Sequence, residues 1–185
     1  KTDADLKQFS DVWVNQKGMP DIDMELKGNR LIVRQRDLLN RGIFWPQRFN
    51  VTLCGKKTIS REINLTDSIL ELPLDFYPDY VLPNTDGRGY GRFLLSSEAV
   101  QYIVDNWFSE KDEVCRLSLL MTLYENYQSK RLSPSLIANT LLKGLPIERN
   151  PIIASAIIGY LNSCVNDLNG EPRLLIEQRM YELYL

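Results

Sequence analysis

Gly87, Gly89 and Gly91 alternate along the chain, with Asp86 before them and Arg88 and Arg92 among them. By type and spacing these are the residues best suited to hold a phosphate or a divalent cation. Each of those chemistries has a fixed requirement. A dinucleotide fingerprint sets its glycines between a strand and a helix, so that the helix N-terminus meets the pyrophosphate. Here Gly91 leads into Arg92-Phe93-Leu94-Leu95, which reads as strand, and Arg92 stands where the third glycine belongs. A phosphate-binding P-loop needs Gly-Lys-Ser or Gly-Lys-Thr, and the chain has neither. A calcium-binding EF-hand loop carries glycine at its sixth position and acids at its first and last. Aligned on Gly87, those two positions fall on Leu82 and Phe93. The stretch therefore reads as a glycine-dependent turn between strands, shaped by Asn84, Gly87, Gly89 and Tyr90.

Other chemistries are excluded more simply. The chain has no histidine. It therefore holds no Ser-His-Asp or Cys-His arrangement and no His-Glu-x-x-His zinc helix. The cysteines Cys54, Cys115 and Cys164 are odd in number and far apart, which fits buried free thiols better than a disulfide framework or a zinc knuckle. The acid pairs Asp21/Asp23 and Asp75/Asp79 read as solvated strand faces and turns. Two tripeptides, Asn50-Val51-Thr52 and Asn64-Leu65-Thr66, match the glycosylation acceptor but lie in predicted strands, where such matches arise by chance. No catalytic, cofactor-binding or metal-ligating residue is assigned.

The elements that position these residues fall into two unlike halves. Length and composition (185 residues, 44% hydrophobic, 25% charged) suit a globular chain with a substantial core. A net charge of −2 gives no basic surface for nucleic acid. No apolar run approaches the ~18 residues of a membrane span, so a soluble protein is expected, whether cytoplasmic or exported. Residues 1–96 carry about seven short alternating runs, among them Asp21–Leu26, Leu31–Arg36, Phe49–Cys54 and Ile69–Leu74. Lys27-Gly28-Asn29 reads as a hairpin turn, and Pro73 points to an edge strand. Trp13, Phe44, Trp45, Tyr77 and Tyr80 are expected in the core. These runs predict an antiparallel, immunoglobulin-like β-sandwich.

From Ser97 the period becomes helical, with Val100, Ile103, Val104 and Trp107 on one stripe. Ser109 to Asp112 offer an N-cap, and Val114, Leu117, Leu120, Met121 and Tyr124 mark a second apolar stripe. Ser133-Pro134 and Asn150-Pro151 pair a cap with proline at the first helical position. Gly144 reads as a helix stop, and Pro172 opens a last helix. Residues 97–185 thus predict five helices in an all-α bundle or repeat. The chain as a whole is α+β.

Taken together, four stretches resemble the C-terminal half of the aminopeptidase N-like zinc metallopeptidases. "DVWVNQKGMPDIDMEL" looks like the entry into that family's β-sandwich domain. "LIVRQRDLLNRGIFWPQRFNVTL" looks like its following strands, and "YVLPNTDGRGYGRFLL" is similar to its Pro-Asn-x-x-Gly-x-Gly-Tyr turn. "DEVCRLSLLMTLYENYQSKRLSP" resembles the first long helices of its helical domain. Coverage runs from about Asp11 to Leu161. The resemblance implies a non-catalytic piece, truncated in its helical domain, that shapes the substrate cavity. Zinc and the catalytic residues would belong to an upstream domain of the same polypeptide, the partner of this piece. In the whole enzyme a zinc-bound water would attack the N-terminal peptide bond of a peptide substrate. An inactive peptidase relative and a free-standing protein- or glycan-binding module are the alternatives. A carboxylate-based glycosidase is disfavoured, since no pair of acids stands out.

Overall fold

The computed structural model describes residues 11–184. The chain divides into two compact units between Ser96 and Ser97. Among the described residues the first unit contains two small sheets and the second contains helices, a mixed α and β composition.

Among the described residues the first unit has seven strands: β1 (Pro20–Leu26), β2 (Arg30–Asp37), β3 (Gln47–Cys54), β4 (Ile59–Leu65), β5 (Ile69–Pro73), β6 (Tyr80–Leu82) and β7 (Arg92–Phe93). One sheet has the order β5-β2-β1-β7, the other β4-β3-β6. Pro73 thus lies on an edge strand, where its missing N–H costs no ladder bond. The β1–β2 hairpin closes through reciprocal hydrogen bonds between Lys27 and Arg30, with Gly28 at φ +61°. One pairing departs from the antiparallel expectation: β7 runs parallel to β1, with Asp21 opposite Arg92 and Ile22 opposite Phe93. Parallel neighbours need a long return connection, and here the remaining strands of the unit supply it.

Alternation puts Ile22, Leu31 and Val33 from one sheet into a single cluster with Phe49, Val51, Leu53, Ile63 and Leu65 from the other. Each such side chain contributes roughly 1.5–3 kcal/mol on full burial. Phe49 and Phe93 meet edge to face, with ring centroids 5.1 Å apart. Trp45 is buried as expected, but Tyr77 is 71% exposed, and Trp13, Phe44 and Tyr80 are only partly covered. Tyr77 sits in the tight turn before Asp79, whose N–H is given to the Cys54 carbonyl.

The second unit has five α-helices: α1 (Ser97–Asn106), α2 (Glu113–Gln128), α3 (Pro134–Gly144), α4 (Pro151–Asn166) and α5 (Gly170–Tyr184). Asp112, not Ser109, caps α2 by accepting from Cys115 N. Ser109 instead ends a 3-10 turn, and its hydroxyl donates to Asn106 O. Ser133 and Asn150 cap α3 and α4 ahead of the first-position prolines, as expected. Caps of this kind stabilise by about 1 kcal/mol each. α3 packs against each of the other four helices.

One expectation fails in this unit. The inward face of α2 is Leu119, Leu120, Leu123 and Tyr127, whereas Val114 and Met121 are largely exposed. Ser118, Thr122 and Asn126, spaced one turn apart, are buried beside those leucines. A stripe counted on apolar residues alone is therefore shifted around the helix. Gly144 does end α3, but at φ −99°, not in the left-handed region. Its role is close approach: a Cβ there would collide with the buried ring of Trp107. That indole in turn donates to Thr140 O at 3.2 Å.

Candidate functional site

The turn that connects β6 to β7 gathers a dense set of polar contacts in the first unit. Asn84 stands at φ +49° and is nearly buried, and its side-chain oxygen accepts the Gly89 N–H at 2.7 Å. Asparagine tolerates this left-handed conformation because its short side chain can bond locally. Gly87 takes φ +67° and closes the turn through Gly87 N to Asn84 O. Gly89 is needed for space: a Cβ would lie 2.5 Å from Phe93 Cζ and 2.9 Å from Asn84 Oδ1. Gly91 is needed for both reasons, at φ +134° with a Cβ position 2.7 Å from the Pro20 carbonyl oxygen.

Tyr90 joins three parts of the chain. Its backbone N–H donates to Gln47 Oε1, its carbonyl accepts from Gln47 Nε2, and its hydroxyl donates to Gly18 O at 3.0 Å. Trp13 packs against the Tyr90 ring at 5.6 Å. The four residues assigned to the turn are therefore together in space and bonded to one another or to their immediate surroundings.

The charges of the loop are consumed internally. Asp86 Oδ1 accepts from the N–H groups of Asn50 and Arg88, while Oδ2 accepts from Arg88 Nε. Burial pushes the Asp86 carboxyl up, but these donors outweigh it and hold the group below its ordinary value. Arg92 makes two bonds to Asp21, at 2.7 and 2.8 Å, and Arg36 adds a third. A phosphate would have to compete with Asp21 for Arg92 and with Asp86 for Arg88. A cation would have to compete with three donors for Asp86. The arrangement is built to lock a backbone.

Asp21 corrects the sequence reading. It is 4% exposed, not a solvated strand residue, and it lies under two arginines. Its neighbour Asp23 does face solvent beside Arg34, and Asp75 pairs with Lys57 in the open. Gln47 was also missed. A glutamine inside an alternating strand signals nothing until its partner, forty-three positions away, is known.

An open cleft of about 280 Å³ is lined in part by Gln35, Arg36, Asp37, Asn40, Phe44 and Ser68. Its buried polar groups are already spoken for. Gln35 donates to Asp67 O and accepts from Trp45 N. Asp37 accepts four bonds or contacts from Arg41 and its own loop, and the Arg41 guanidinium holds its carboxyl well below the usual range.

In the second unit the most buried charge pair is Arg116 with Glu148, at 2.8 and 3.1 Å. Glu148 also accepts from Arg149 N and Asn150 N, and Arg116 donates to Glu110 O. The pair thus ties the start of α2 to the start of α4. Farther along the same two helices Tyr124 stacks on Tyr160 at 3.9 Å, and Tyr127 donates to Asp167 at 2.7 Å. Contacts from start to start and from end to end mean that α2 and α4 run parallel, side by side. None of the three cysteines forms a disulfide among the described residues. Burial pushes Cys164 up to about 12 and also raises Cys54, so neither is a nucleophile at neutral pH.

Among the described residues, no three His, Cys, Asp or Glu side chains come together as a metal site, and no helix is long and apolar enough to cross a membrane. The class these observations define is a two-sheet unit followed by a helical unit, with polar networks that serve architecture. No protein-family model matches the chain, and no curated protein is significantly similar to it.

Proposed function

We propose that this chain is a non-catalytic portion of an aminopeptidase N-like zinc peptidase. In this reading an immunoglobulin-like β-sandwich is followed by the start of a helical repeat, and the chain helps shape the substrate cavity of the whole enzyme. The observation that carries the reading is the turn from Asn84 to Gly91. It follows β6 and precedes the helices in sequence, and its acid and the neighbouring arginines pair with each other, with β3 and with β1. The side-by-side parallel course of α2 and α4 supports the repeat, since alternate helices of such an array share one layer. In this reading the metal and its chemistry reside in an upstream domain, as the resemblance implies.

The test has two arms. The reading frame before the Lys1 codon should encode a His-Glu-x-x-His helix. The isolated chain, given zinc, should release nothing from an aminoacyl chromogenic substrate. Turnover that a chelator abolishes would overturn the claim that this portion is inert. A frame without the zinc motif would shift the reading to an interaction module or an inactive relative. One observation favours the module: Val114 and Met121 on α2 and Ile152 on α4 leave apolar side chains in solvent on adjacent parallel helices.

A further inference from the structure

We draw no further inference here: the strongest candidate, the exposed apolar pair Leu174 and Tyr181 spaced two turns apart on one face of α5, has no partner among the described residues, and nothing in the structure shows what covers it.

Discussion

The two units hold buried charge in different ways. In the first, Arg92 reaches Asp21 across 71 positions of sequence, and Tyr90 reaches Gly18 across 72. These bonds close the largest loops of the unit, so they form only once most of its strands are placed. In the second, Arg116 meets Glu148 across 32 positions, between the starts of two neighbouring helices. That pair supplements caps which each helix already has from Asp112 and Asn150. The difference locates the weak point of each unit. In the sheets it is the backbone that must pass through a crowded turn; in the helices it is the desolvated charge.

The largest effects should come from two glycines that are essential for different reasons. Gly91→Ala places a Cβ against the Pro20 carbonyl at a φ that side chains rarely adopt. Strain plus collision should cost about 3 kcal/mol or more, a large fraction of a domain's stability. Gly144→Ala carries no φ penalty, and in an ordinary helix it would stabilise by about 1 kcal/mol. Here it should destabilise, because Trp107 must leave its place. Urea unfolding followed by far-UV circular dichroism and tryptophan fluorescence checks both. A neutral or stabilising Gly144→Ala would show that the ring yields easily. Calorimetry with calcium and with phosphate should detect no binding to the wild-type chain.

The contrast between these glycines also shows what the sequence could disclose. The turn was legible because Asn-x-x-Gly-x-Gly combines residue types that only a tight backbone requires. Gly144 looked like a helix stop, and its actual reason, the ring of Trp107, lies 37 positions earlier. The strands announced themselves through alternation that matches the buried cluster of Ile22, Val33, Phe49 and Ile63. The burial of Asp21 could not be read locally, because it depends on β7 arriving parallel to β1. The phase of α2 was misread for a related reason. Ser118, Thr122 and Asn126 are small or self-satisfied polar residues that pack between helices, and Asn126 gives its amide to the Thr122 carbonyl.

The charge pairs come next in size. Glu148→Gln keeps shape but leaves Arg116 without its carboxylate, and removing one partner of a buried pair costs about 3 kcal/mol. Asp21→Asn should cost a similar amount, since the group is equally buried. The helical pair also carries a pH signature. Burial pushes Glu148 up, but Arg116 and the backbone N–H groups of Asn150 and Arg149 prevail, so its carboxyl is held below the ordinary 4.5. A depressed carboxylate stabilises fully above the unfolded value and loses that contribution as pH falls through the folded one. The gap between wild type and Glu148→Gln should therefore be widest at neutral pH and shrink below pH 4.5. A gap that stays constant in acid would mean that packing, not charge, holds the helix starts together.

A smaller effect separates the far ends of the same helices from their starts. Tyr127→Phe removes the bonds to Asp167 and Ser163 O but leaves the ring in the core. The loss should be about 1.5 kcal/mol, the lower end for a hydrogen bond to a charged group. Asp167 remains near solvent beside Lys130, so it should not be stranded. If Tyr127→Phe costs as much as Glu148→Gln, the two ends of the α2–α4 contact are equally important and the charge pair has no special role.

The smallest difference, that between two variants of one residue, returns to the sheets and divides the turn into its two components. Asn84→Ala loses both the bond to Gly89 N and the tolerance for φ +49°, so about 2 kcal/mol is expected from a left-handed backbone and a missing hydrogen bond. Asn84→Gly loses only the side-chain bonding, which includes two bonds to the Gly89 backbone, because glycine accepts that φ without strain, and should cost about 1 kcal/mol. The order Ala worse than Gly would show that conformation and bonding both matter at this position. Equal costs would mean that the side-chain clasp alone fixes the turn. A glycine variant as stable as wild type would mean that the backbone geometry alone does so.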